Sequence, residues 1–397
     1  MRCLMSKRKF DLPGIDELNK DQKAVLRLKE SGQHLVIGGP GTGKSVVALL
    51  RARKFHQKDN YLFLTFNHVL NSSTKQVCGI ELKSDTAQSW FYSLQFNLAP
   101  GNDFELKKMP HRTDSNGMEI QHSPNYDKVI ERFDSYVNQK NSNLPANDTH
   151  FIIDEGQDLP IGFYESLQSL GFENFFIVAD QNQQITEENS SRQELTDVLA
   201  LENDEVVELN ENYRNSSTIA KFANHFYTDK ASPAPNLPDR PSLDTPTLYV
   251  YEMLNSCISM IHREAIRDTE RLIGVIVATE AKRDTYTKIL TKAVTNENIN
   301  VSSYSNESKQ NVNIDFSMGG VVVLCDKSVK GIEFDTVFIV LDDLKIINND
   351  ADAIKKRLYV MSSRAKEKLF LFRSAVMPNE VEGLLPIDEN LMIRDKI

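Results

Sequence analysis

Residues 36–50, VIGGPGTGKSVVALL, restrict the fold of this chain more than any other segment. Residues 38–45 fit the pattern GxxxxGK(S/T), with an apolar strand pattern before them and an apolar helix pattern after them. Glycines in such a turn let backbone N–H groups converge on phosphate oxygens, and the next helix adds the positive end of its dipole. A glycine-rich turn without a ligand is the alternative, which the flanking strand and helix disfavour. The segment therefore predicts a nucleotide-binding α/β fold.

The residues of this turn have expected roles that follow from phosphate chemistry. Lys44 would reach the β- and γ-phosphates of ATP, and Ser45 would hold Mg²⁺. The backbone of the whole turn would surround the phosphates. The nucleotide-binding candidates are therefore Gly38, Gly39, Pro40, Gly41, Thr42, Gly43, Lys44 and Ser45.

A second apolar run ends in two adjacent acids, in FIIDEGQD at residues 151–158. Carboxylates at the end of a buried strand suit a nucleotide site, where Asp154 would complete the Mg²⁺ shell and Glu155 would polarise the attacking water. An acidic strand end by itself is common, so this interpretation depends on its pairing with the phosphate loop. Together the two segments imply ATP and Mg²⁺ as cofactors.

Short apolar runs alternate with helical patterns in both halves of the chain. The runs are continuously apolar, which is typical of parallel strands that helices cover on both faces. Two sets of runs predict two α/β lobes, residues 1–211 and 212–397. A polar segment at about residues 95–148 predicts a small insertion in the first lobe. Five prolines in residues 231–246 exclude a helix or a central strand and predict a loop in the second lobe.

The composition restricts location and partners. The net charge of −10 and the pI near 5.4 disfavour a general nucleic-acid binder, so any site for a polyanion must be a local groove. No apolar run approaches the roughly 20 residues that a membrane span needs, so we expect no membrane partner. Four scattered cysteines without a CxxC pair argue against zinc and disulfides. Because no signal-peptide pattern is evident either, we expect a cytoplasmic protein.

Further motifs occur in a fixed order around the first two. They are LNKDQKAVL (18–26), FLTFNHVL (63–70), TAQSWFYSL (86–94), VADQNQQI (178–185), LNENYRNSSTIAKFAN (209–224), VKGIEFDTVFI (329–339) and YVMSSRAKEKLFLF (359–372). This ordered set resembles superfamily 1 helicases of the UvrD/Rep type, and the resemblance spans residues 18–372. The phosphate loop and the acidic strand end are common to many NTPases, whereas the order NYR, KGIEF and SSRAKEKL is much more specific.

The resemblance implies two RecA-like P-loop NTPase lobes, each a mostly parallel sheet covered by helices, with ATP bound between them. Gln22 would read adenine, Tyr213 would stack on it, and Glu333 would contact the ribose. The resemblance assigns the γ-phosphate to a glutamine and two arginines, Gln183, Arg214 and Arg364. The catalytic candidates are therefore Lys44, Asp154, Glu155, Gln183, Arg214 and Arg364.

The resemblance also implies contacts with single-stranded DNA or DNA ends, the expected partner. The candidates lie in segments that match the strand-contacting motifs, and they are Phe66, Asn67, Thr86, Ser89 and Lys327. Structural alternatives stay open for some candidates. Phe66 ends a strand and could belong to the core, as could Tyr213. Arg214 could form a structural ion pair instead of a phosphate contact.

Several positions depart from the family pattern. Thr186 and Glu188 stand where the family has a tyrosine and a base-stacking tryptophan, and a carboxylate there would repel phosphates. Residues 325–327 read Cys-Asp-Lys in place of T-x-H, and Val46 replaces an arginine that often stacks on adenine. The large second-lobe insertion that regulates unwinding in the family has no counterpart. The expected ATP site is thus complete, while the expected DNA track is reduced, since stacking on bases is a main source of affinity.

Two functions remain in the foreground. The first is an ATP-dependent DNA translocase or helicase that moves on single-stranded DNA, with the 3′–5′ polarity that the resemblance implies. The second is an ATP-gated regulatory or DNA-sensing subunit of a larger complex, for example with a nuclease partner in anti-phage defence. A scaffold without activity is disfavoured, because Lys44, Glu155, Arg214 and Arg364 are all present.

Overall fold

Two mostly parallel sheets with helices packed on them form two α/β lobes, which confirms the predicted RecA-like P-loop architecture. The fold is that of a computed structural model. The residues that the structure describes are 12–101, 103–139, 148–180, 189–228, 234–242, 244–297, 299–305, 312, 314–376 and 380–397. The boundaries of the two lobes stay a prediction.

Five of the described strands of the first lobe lie in apolar runs of the sequence, whereas the short strands Ser84–Thr86, His111–Thr113 and Glu119–Pro124 are polar. The strands of this lobe are β1 (Gln33–Gly38), β2 (Tyr61–Thr65), β3 (Ser84–Thr86), β4 (His111–Thr113), β5 (Glu119–Pro124), β6 (His150–Ile153), β7 (Asn174–Ala179) and β8 (Val206–Leu209). Within the described residues, a six-stranded sheet has the order β3-β2-β6-β7-β1-β8. Strands β4 and β5 form a separate antiparallel hairpin.

The central strands of this sheet determine where the polar side chains meet. Strands β6, β7 and β1 are neighbours and run parallel. The carboxyl ends of parallel strands lie at one edge of a sheet, where α/β proteins bind ligands. Asp154 follows β6, Asp180 follows β7, and the phosphate loop follows β1. Segments far apart in sequence therefore come together at this edge.

The helices of the first lobe cover the sheet. They are α1 (Lys20–Leu26), α2 (Lys44–His56), α3 (His68–Val77), α4 (Ala87–Leu98), α5 (Phe104–Lys107), α6 (Tyr126–Asn138), α7 (Ile161–Ser169) and α8 (Arg192–Val198). Helix α1 begins with a capping box, in which Asn19 and Gln22 satisfy each other's backbone N–H groups. Helix α2 begins directly after the phosphate loop, so its positive dipole end faces the loop.

The predicted insertion at about residues 95–148 contains α5, the β4–β5 hairpin and α6. Helix α6 buries Val129 and Phe133 in the core of the first lobe. Arg132 of the same helix donates a hydrogen bond to the carbonyl oxygen of Lys108 at 2.8 Å. The described part of this segment is thus packed on the lobe through α6, and the limits of the insertion stay a prediction.

The second lobe has the same construction. Its strands are β9 (Thr247–Tyr251), β10 (Leu272–Val277), β11 (Val301–Ser303), β12 (Gly320–Cys325), β13 (Phe334–Val340), β14 (Ala365–Ser374) and β15 (Ile393–Lys396). In the described chain they form a seven-stranded sheet in the order β11-β12-β10-β13-β14-β9-β15. Its helices are α9 (Ser217–Asn224), α10 (Leu254–Arg267), α11 (Glu280–Ala293) and α12 (Ala351–Ser362).

The C-terminal segment is part of the second lobe. Strand β15 pairs in parallel with β9 at the edge of the sheet. Val381, Leu385 and Met392 are buried in the core of this lobe. The apolar side chains of the tail therefore dock it on the body of the protein.

Helix α3 joins the first lobe to the second. Val69 of this helix belongs to the apolar core of the second lobe. The side-chain amide of Gln76 donates to the carbonyl oxygen of Ile314 and accepts from the N–H of Phe316, both at 2.8 Å. Because α3 directly follows Phe66, this contact couples a predicted DNA-contacting position to the second lobe.

None of the helices found in the described ranges has both the length and the apolar character that crossing a membrane would require.

The interlobe packing at α3 can be tested with Gly331→Ala. Gly331 has a φ of 80°, and an added Cβ would lie 2.5 Å from Cδ1 of the buried Leu70 of α3. We expect Gly331→Ala to lower the free energy of unfolding by about 2 kcal/mol or more, because backbone strain and a clash combine. Urea unfolding measures this change.

The matched control is Gly79→Ala. Gly79 has a φ of 68°, but nothing lies within 4 Å of the added Cβ. This substitution is expected to cost about 1 kcal/mol, from backbone strain alone. Equal costs at the two positions would mean that the close contact between Gly331 and Leu70 does not stabilise the interlobe packing.

Candidate active site

A cavity of about 430 Å³ lies between the two lobes, at the carboxyl edge of the first sheet. We call it the interlobe cavity. Its lining combines residues of both lobes with the connecting segment, which lies between β8 and α9. The lining residues are Pro13, Glu17, Leu18, Asn19, Gln22, Pro40, Gly41, Gly43, Lys44, Ser45, Val46, Glu155, Tyr213, Arg214, Arg240, Gly331, Glu333, Arg364 and Lys366. Most predicted nucleotide-site residues are therefore neighbours in space.

The phosphate loop leaves no room for side chains at its glycines, and two of them also have a left-handed backbone conformation. Gly41 and Gly43 have φ values of 76° and 89°, which favour glycine. A Cβ at Gly41 would collide with the side chain of Asn212, and one at Gly43 would collide with the amide of Gln22. The loop is thus held between α1 and the connecting segment, and its backbone forms one wall of the cavity.

Lys44 has partners at the base of the loop. Its Nζ donates to the carbonyl oxygen of Gly39 at 2.8 Å and lies 3.4 Å from Oδ2 of Asp180. Asp180 is buried, and burial raises the pKa of its carboxyl while the charge of Lys44 opposes that rise. Lys44 also lines the cavity, so a polyphosphate bound there could exchange with these partners.

Asp154 fits a position in a magnesium shell. Its side chain is buried, and Oδ2 has no hydrogen-bond partner in the described structure. Burial, reinforced by the charge of Glu155, raises the pKa of Asp154 to about 6, while the hydroxyl of Ser45 and the charge of Lys44 lower it. A buried carboxylate oxygen beside a hydroxyl is a donor set that Mg²⁺ accepts. Ser45 and Asp154 would hold the ion, which neutralises charge on the β- and γ-phosphates when it is bound.

Glu155 is held in place from both lobes. Its φ is 58°, in the left-handed region, and its Oε2 accepts a hydrogen bond from Gln157 at 2.7 Å. Nζ of Lys330, which comes from the second lobe, lies 3.5 Å from the same oxygen. Burial raises the pKa of Glu155, but Lys330, Lys44 and Arg364 together lower it to about 2. Glu155 is therefore ionised and suited to orient a water molecule.

Arg214 and Arg364 both line the cavity. Arg364 is only 1% exposed, and its Nε donates to the carbonyl oxygen of Val360 at 3.0 Å. Burial and the neighbouring Arg214 lower the pKa of Arg364 to about 10, so it stays charged at neutral pH. Arg214 lies 2.7 Å from Glu333, whose other carboxylate oxygen lies 3.0 Å from Lys366.

Glu333 is an anion in the second-lobe wall. Burial raises the pKa of its carboxyl, while Arg214 and Lys366 together lower it to about 2. Both oxygens already have cationic partners. A ribose hydroxyl that binds Glu333 would therefore have to share its carboxylate oxygens with Arg214 and Lys366.

Tyr213 and Gln22, the candidates for binding adenine, also line the cavity. Tyr213 is 51% exposed, which places it outside the core, and its hydroxyl accepts a hydrogen bond from Asn19 at 2.8 Å. The amide of Gln22 donates to the carbonyl oxygen of Thr42 at 2.9 Å and accepts from the N–H of Asn19 at 3.1 Å. Gln22 thus lines the cavity while supporting the phosphate loop and capping α1.

Phe66 and Asn67 follow β2, and Thr86 and Ser89 lie at the end of β3 and the start of α4. Because Thr65 of β2 is opposite Thr86 of β3, these four DNA-contact candidates lie at one edge of the first sheet. Phe66 is half-buried, and it belongs to none of the apolar cores of the described chain. Asn67 and Thr86 accept hydrogen bonds that cap α3 and α4, the latter from the N–H of Ser89 at 3.3 Å.

Lys327, the remaining DNA-contact candidate, is exposed and follows β12 of the other sheet. Gln183, the predicted γ-phosphate sensor, lies outside the described residues, as do Thr186 and Glu188. The roles of all these positions stay predictions.

The sequence reasoning missed several residues of this site. Asp180 ends the apolar run of β7 as Asp154 ends that of β6, so the rule for parallel strands could have identified it. Lys330 and Lys366 stand in quoted motifs but had no assigned role. Arg240 lies in the proline-rich segment, where no sequence signal indicates a cavity residue.

Comparisons with known proteins agree with a nucleotide site. Residues 21–189 match a family model described as an AAA domain. This part of the chain is therefore similar to AAA domains, which agrees with nucleotide binding at the phosphate loop. No curated protein matches the sequence significantly. A solved structure, the C-terminal domain of a possible DNA helicase from Lactobacillus plantarum WCFS1, is 20% identical with a TM-score of 0.32. The match covers 46% of this chain and 98% of that chain, and it adds no argument about function.

The interlobe contact of Lys330 gives a stability prediction. Lys330 is 0% exposed, and its Nζ contacts Asp158, whose side chain is also 0% exposed. Lys330→Met removes the cation and leaves buried carboxylates behind. We expect the free energy of unfolding to fall by about 3–5 kcal/mol, the usual cost of breaking a buried ion pair on one side.

The double variant Lys330→Met with Asp158→Leu tests the cause of this loss. Replacing a buried ion pair by apolar groups is often nearly neutral, so the double variant should be more stable than Lys330→Met alone. Chemical unfolding of both proteins measures the difference. A single variant as stable as the wild type would mean that Lys330 does not form this buried pair in solution.

Proposed function

We propose that this protein is an ATP-dependent DNA translocase of the UvrD/Rep type, which hydrolyses ATP between its lobes and moves on single-stranded DNA in the 3′–5′ direction. The observation that carries the proposal is the convergence of catalytic candidates on the interlobe cavity. Lys44 and Glu155 line it from the first lobe, and Arg364 lines it from the second. Arg214, next to the connecting segment, completes the set.

The charges of the cavity suit hydrolysis of a nucleoside triphosphate. Lys44 would bind the β- and γ-phosphates, and ionised Glu155 would orient the attacking water. Arg214 and Arg364 would face the γ-phosphate, where negative charge develops in the transition state. Such arginines contribute about 10³–10⁵ in rate in related phosphoryl-transfer sites.

The same arrangement would couple hydrolysis to movement. Arg364 belongs to the second lobe and Lys44 to the first, so a triphosphate that both contact holds the lobes together. Loss of the γ-phosphate removes the contacts that favour the closed form, and the lobes can then reopen. Helix α3 is packed on the second lobe, so its motion would reach Phe66, a predicted base contact. Repeated closing and opening would move the protein along a strand.

A second candidate function follows from the charges at the carboxyl edge of the second sheet. Strands β12, β10 and β13 are parallel neighbours there. Acidic residues follow all three strands, and they are Asp326, Glu280, Asp342 and Asp343. Cations at this edge pair with those acids, namely Arg357, Arg283 and Lys282. We call these residues the acidic edge, and its acids make the paired cations less available to a phosphate backbone.

This acidic edge favours, as the second candidate, an ATP-gated regulatory or DNA-sensing subunit of a larger complex. In that case nucleotide binding would close the lobes and change the surface offered to a protein partner, for example a nuclease in anti-phage defence. The two functions share one ATP site. In the first the ATP cycle drives movement along DNA, and in the second it changes the contact with a protein partner.

Steady-state ATP hydrolysis by the purified protein, with and without single-stranded DNA, separates the two candidates. Low salt is required, since phosphate contacts weaken steeply as salt rises. Strong stimulation by DNA supports the translocase. Turnover without stimulation supports the regulatory subunit, and displacement of streptavidin from either end of a biotinylated strand tests the 3′–5′ polarity. A protein that neither binds nor hydrolyses ATP would contradict both functions.

The roles in hydrolysis give a further prediction. Glu155→Gln should keep ATP binding but lower kcat by about 100-fold or more, because the water loses its carboxylate partner. Arg364→Ala should lower kcat by about 1,000-fold, since a transition-state charge loses its cation. Single-turnover hydrolysis and nucleotide titration measure the two effects separately.

Arg373→Ala is the matched control for these variants. Arg373 is a second-lobe arginine in an ion pair with Glu382, 2.7 Å away, and it does not line the interlobe cavity. Its loss should leave kcat within a factor of about two, since neither Arg373 nor Glu382 lines the cavity. An equal loss of kcat in Arg373→Ala and Arg364→Ala would overturn the proposed role of Arg364.

A further inference from the structure

The proline-rich segment brings an unassigned arginine to the interlobe cavity. We call residues 234–242 the proline strap. The N–H of Asn236 donates to the carbonyl oxygen of Asn210 at 2.9 Å, and the same residue forms an isolated bridge with Glu211. Further along, the carbonyl oxygen of Arg240 accepts from the N–H of Ser217 at 2.9 Å. The strap is therefore fixed along the segment that connects the two lobes.

The strap also lies against the phosphate loop. A Cβ added to Gly39 would collide with the ring of Pro235. Proline holds its own backbone in one conformation, so this contact positions the start of the strap without a flexible side chain. Contacts at both ends of residues 235–240 thus define where Arg240 lies.

Arg240 lines the interlobe cavity together with Glu333 and Lys366. Its Nη1 donates to the carbonyl oxygen of Arg214 at 3.2 Å, and its Nη2 lies 3.0 Å from Oε1 of Glu367. A guanidinium has five N–H donors, and these two contacts use only part of that capacity. The side chain can therefore keep its present partners and still donate to a ligand in the cavity.

Arg240 is the cation of its cluster that reaches the cavity. Its partner Glu367 also pairs with Arg271, which contacts the other carboxylate oxygen. Arg271 in turn pairs with Asp268 at 3.0 Å. Glu367, Arg271 and Asp268 do not line the cavity, whereas Arg240 does. An anionic ligand in the cavity would therefore meet the guanidinium of Arg240 and not the carboxylates of the cluster.

We propose that Arg240 is a further nucleotide-binding residue, which contacts the sugar and the phosphates nearest to it in a bound nucleoside di- or triphosphate. The inference rests on the proposed function, because it takes the interlobe cavity as the nucleotide site. Arg240 shares the lining of the cavity with Glu333, the candidate for the ribose, and it contacts the backbone of Arg214, whereas Glu155 and Arg364 are the candidates for the attacking water and the γ-phosphate. Arg240 thus contributes to binding equally for ATP and ADP, and little to the chemical step.

The test compares Arg240→Ala with Arg271→Ala. Both variants remove one of the two arginines of Glu367, but only Arg240 reaches the cavity. Titration of each full-length protein with ADP and with a non-hydrolysable ATP analogue measures Kd. We expect Arg240→Ala to raise both Kd values by about tenfold, as for the loss of one charge-assisted hydrogen bond at a partly exposed site. Arg271→Ala should leave both Kd values within a factor of about two, since a surface ion pair contributes little.

Steady-state kinetics supply a second readout. Arg240→Ala should raise KM for ATP and leave kcat within a factor of about three, because ground state and transition state lose the same contact. Arg240→Lys should lie between the wild type and Arg240→Ala, since an ammonium keeps the charge but loses the planar fork. Thermal unfolding of each variant shows whether the protein is folded.

Other outcomes overturn the inference in distinguishable ways. Unchanged Kd values in a folded Arg240→Ala protein would exclude a nucleotide contact. Equal increases in Arg240→Ala and Arg271→Ala would mean that both act through Glu367 and the shape of the strap. A loss for the ATP analogue alone would assign Arg240 to the γ-phosphate. A wild-type protein that binds neither nucleotide would overturn the proposed function itself.

Discussion

The contact of Lys330 with Asp158 and Glu155 joins the two lobes at the centre of the candidate active site. A lysine without access to water needs carboxylates beside it, because an unpaired buried charge costs more than a protein's net stability allows. The lysine belongs to the turn between β12 and β13, and the carboxylates follow β6. The pair therefore spans the contact between the lobes, in an arrangement that also places Arg364 and Lys44 at one cavity.

Several cations of the cavity have an anionic partner before any ligand arrives. Lys44 pairs with Asp180, and Arg214 pairs with Glu333. These pairs hold the side chains near their working positions, which reduces the entropy lost when a nucleotide binds. A polyphosphate must then exchange with carboxylates rather than meet bare charges, so its binding is weaker but better directed. Arg240 differs, because its partner Glu367 lies outside the cavity lining.

The ATP site and the predicted DNA track differ in how well the chain supports them. The interlobe cavity brings together Lys44, Glu155 and Arg364 in an arrangement that suits phosphoryl transfer. At the strand-contacting positions, Thr86 is buried and caps a helix, and an acidic edge surrounds the position of Lys327. Binding of a strand depends on a continuous run of cations and aromatic rings, and the described residues support the nucleotide site more fully than such a run.

The sequence by itself determined the two sets of buried strands, the phosphate loop and the acidic pair Asp154–Glu155. These features can be predicted from short sequence patterns, since a buried strand, a glycine turn and a helix each need only a few consecutive residues. Family resemblance was needed to expect Arg214 and Arg364 in the same site. Only the tertiary structure decided which charges share the cavity. Arg240 and Glu367 are 127 positions apart in sequence, and their contact depends on how strap and second lobe pack. Charge pairing depends on distance and burial, which no short segment contains.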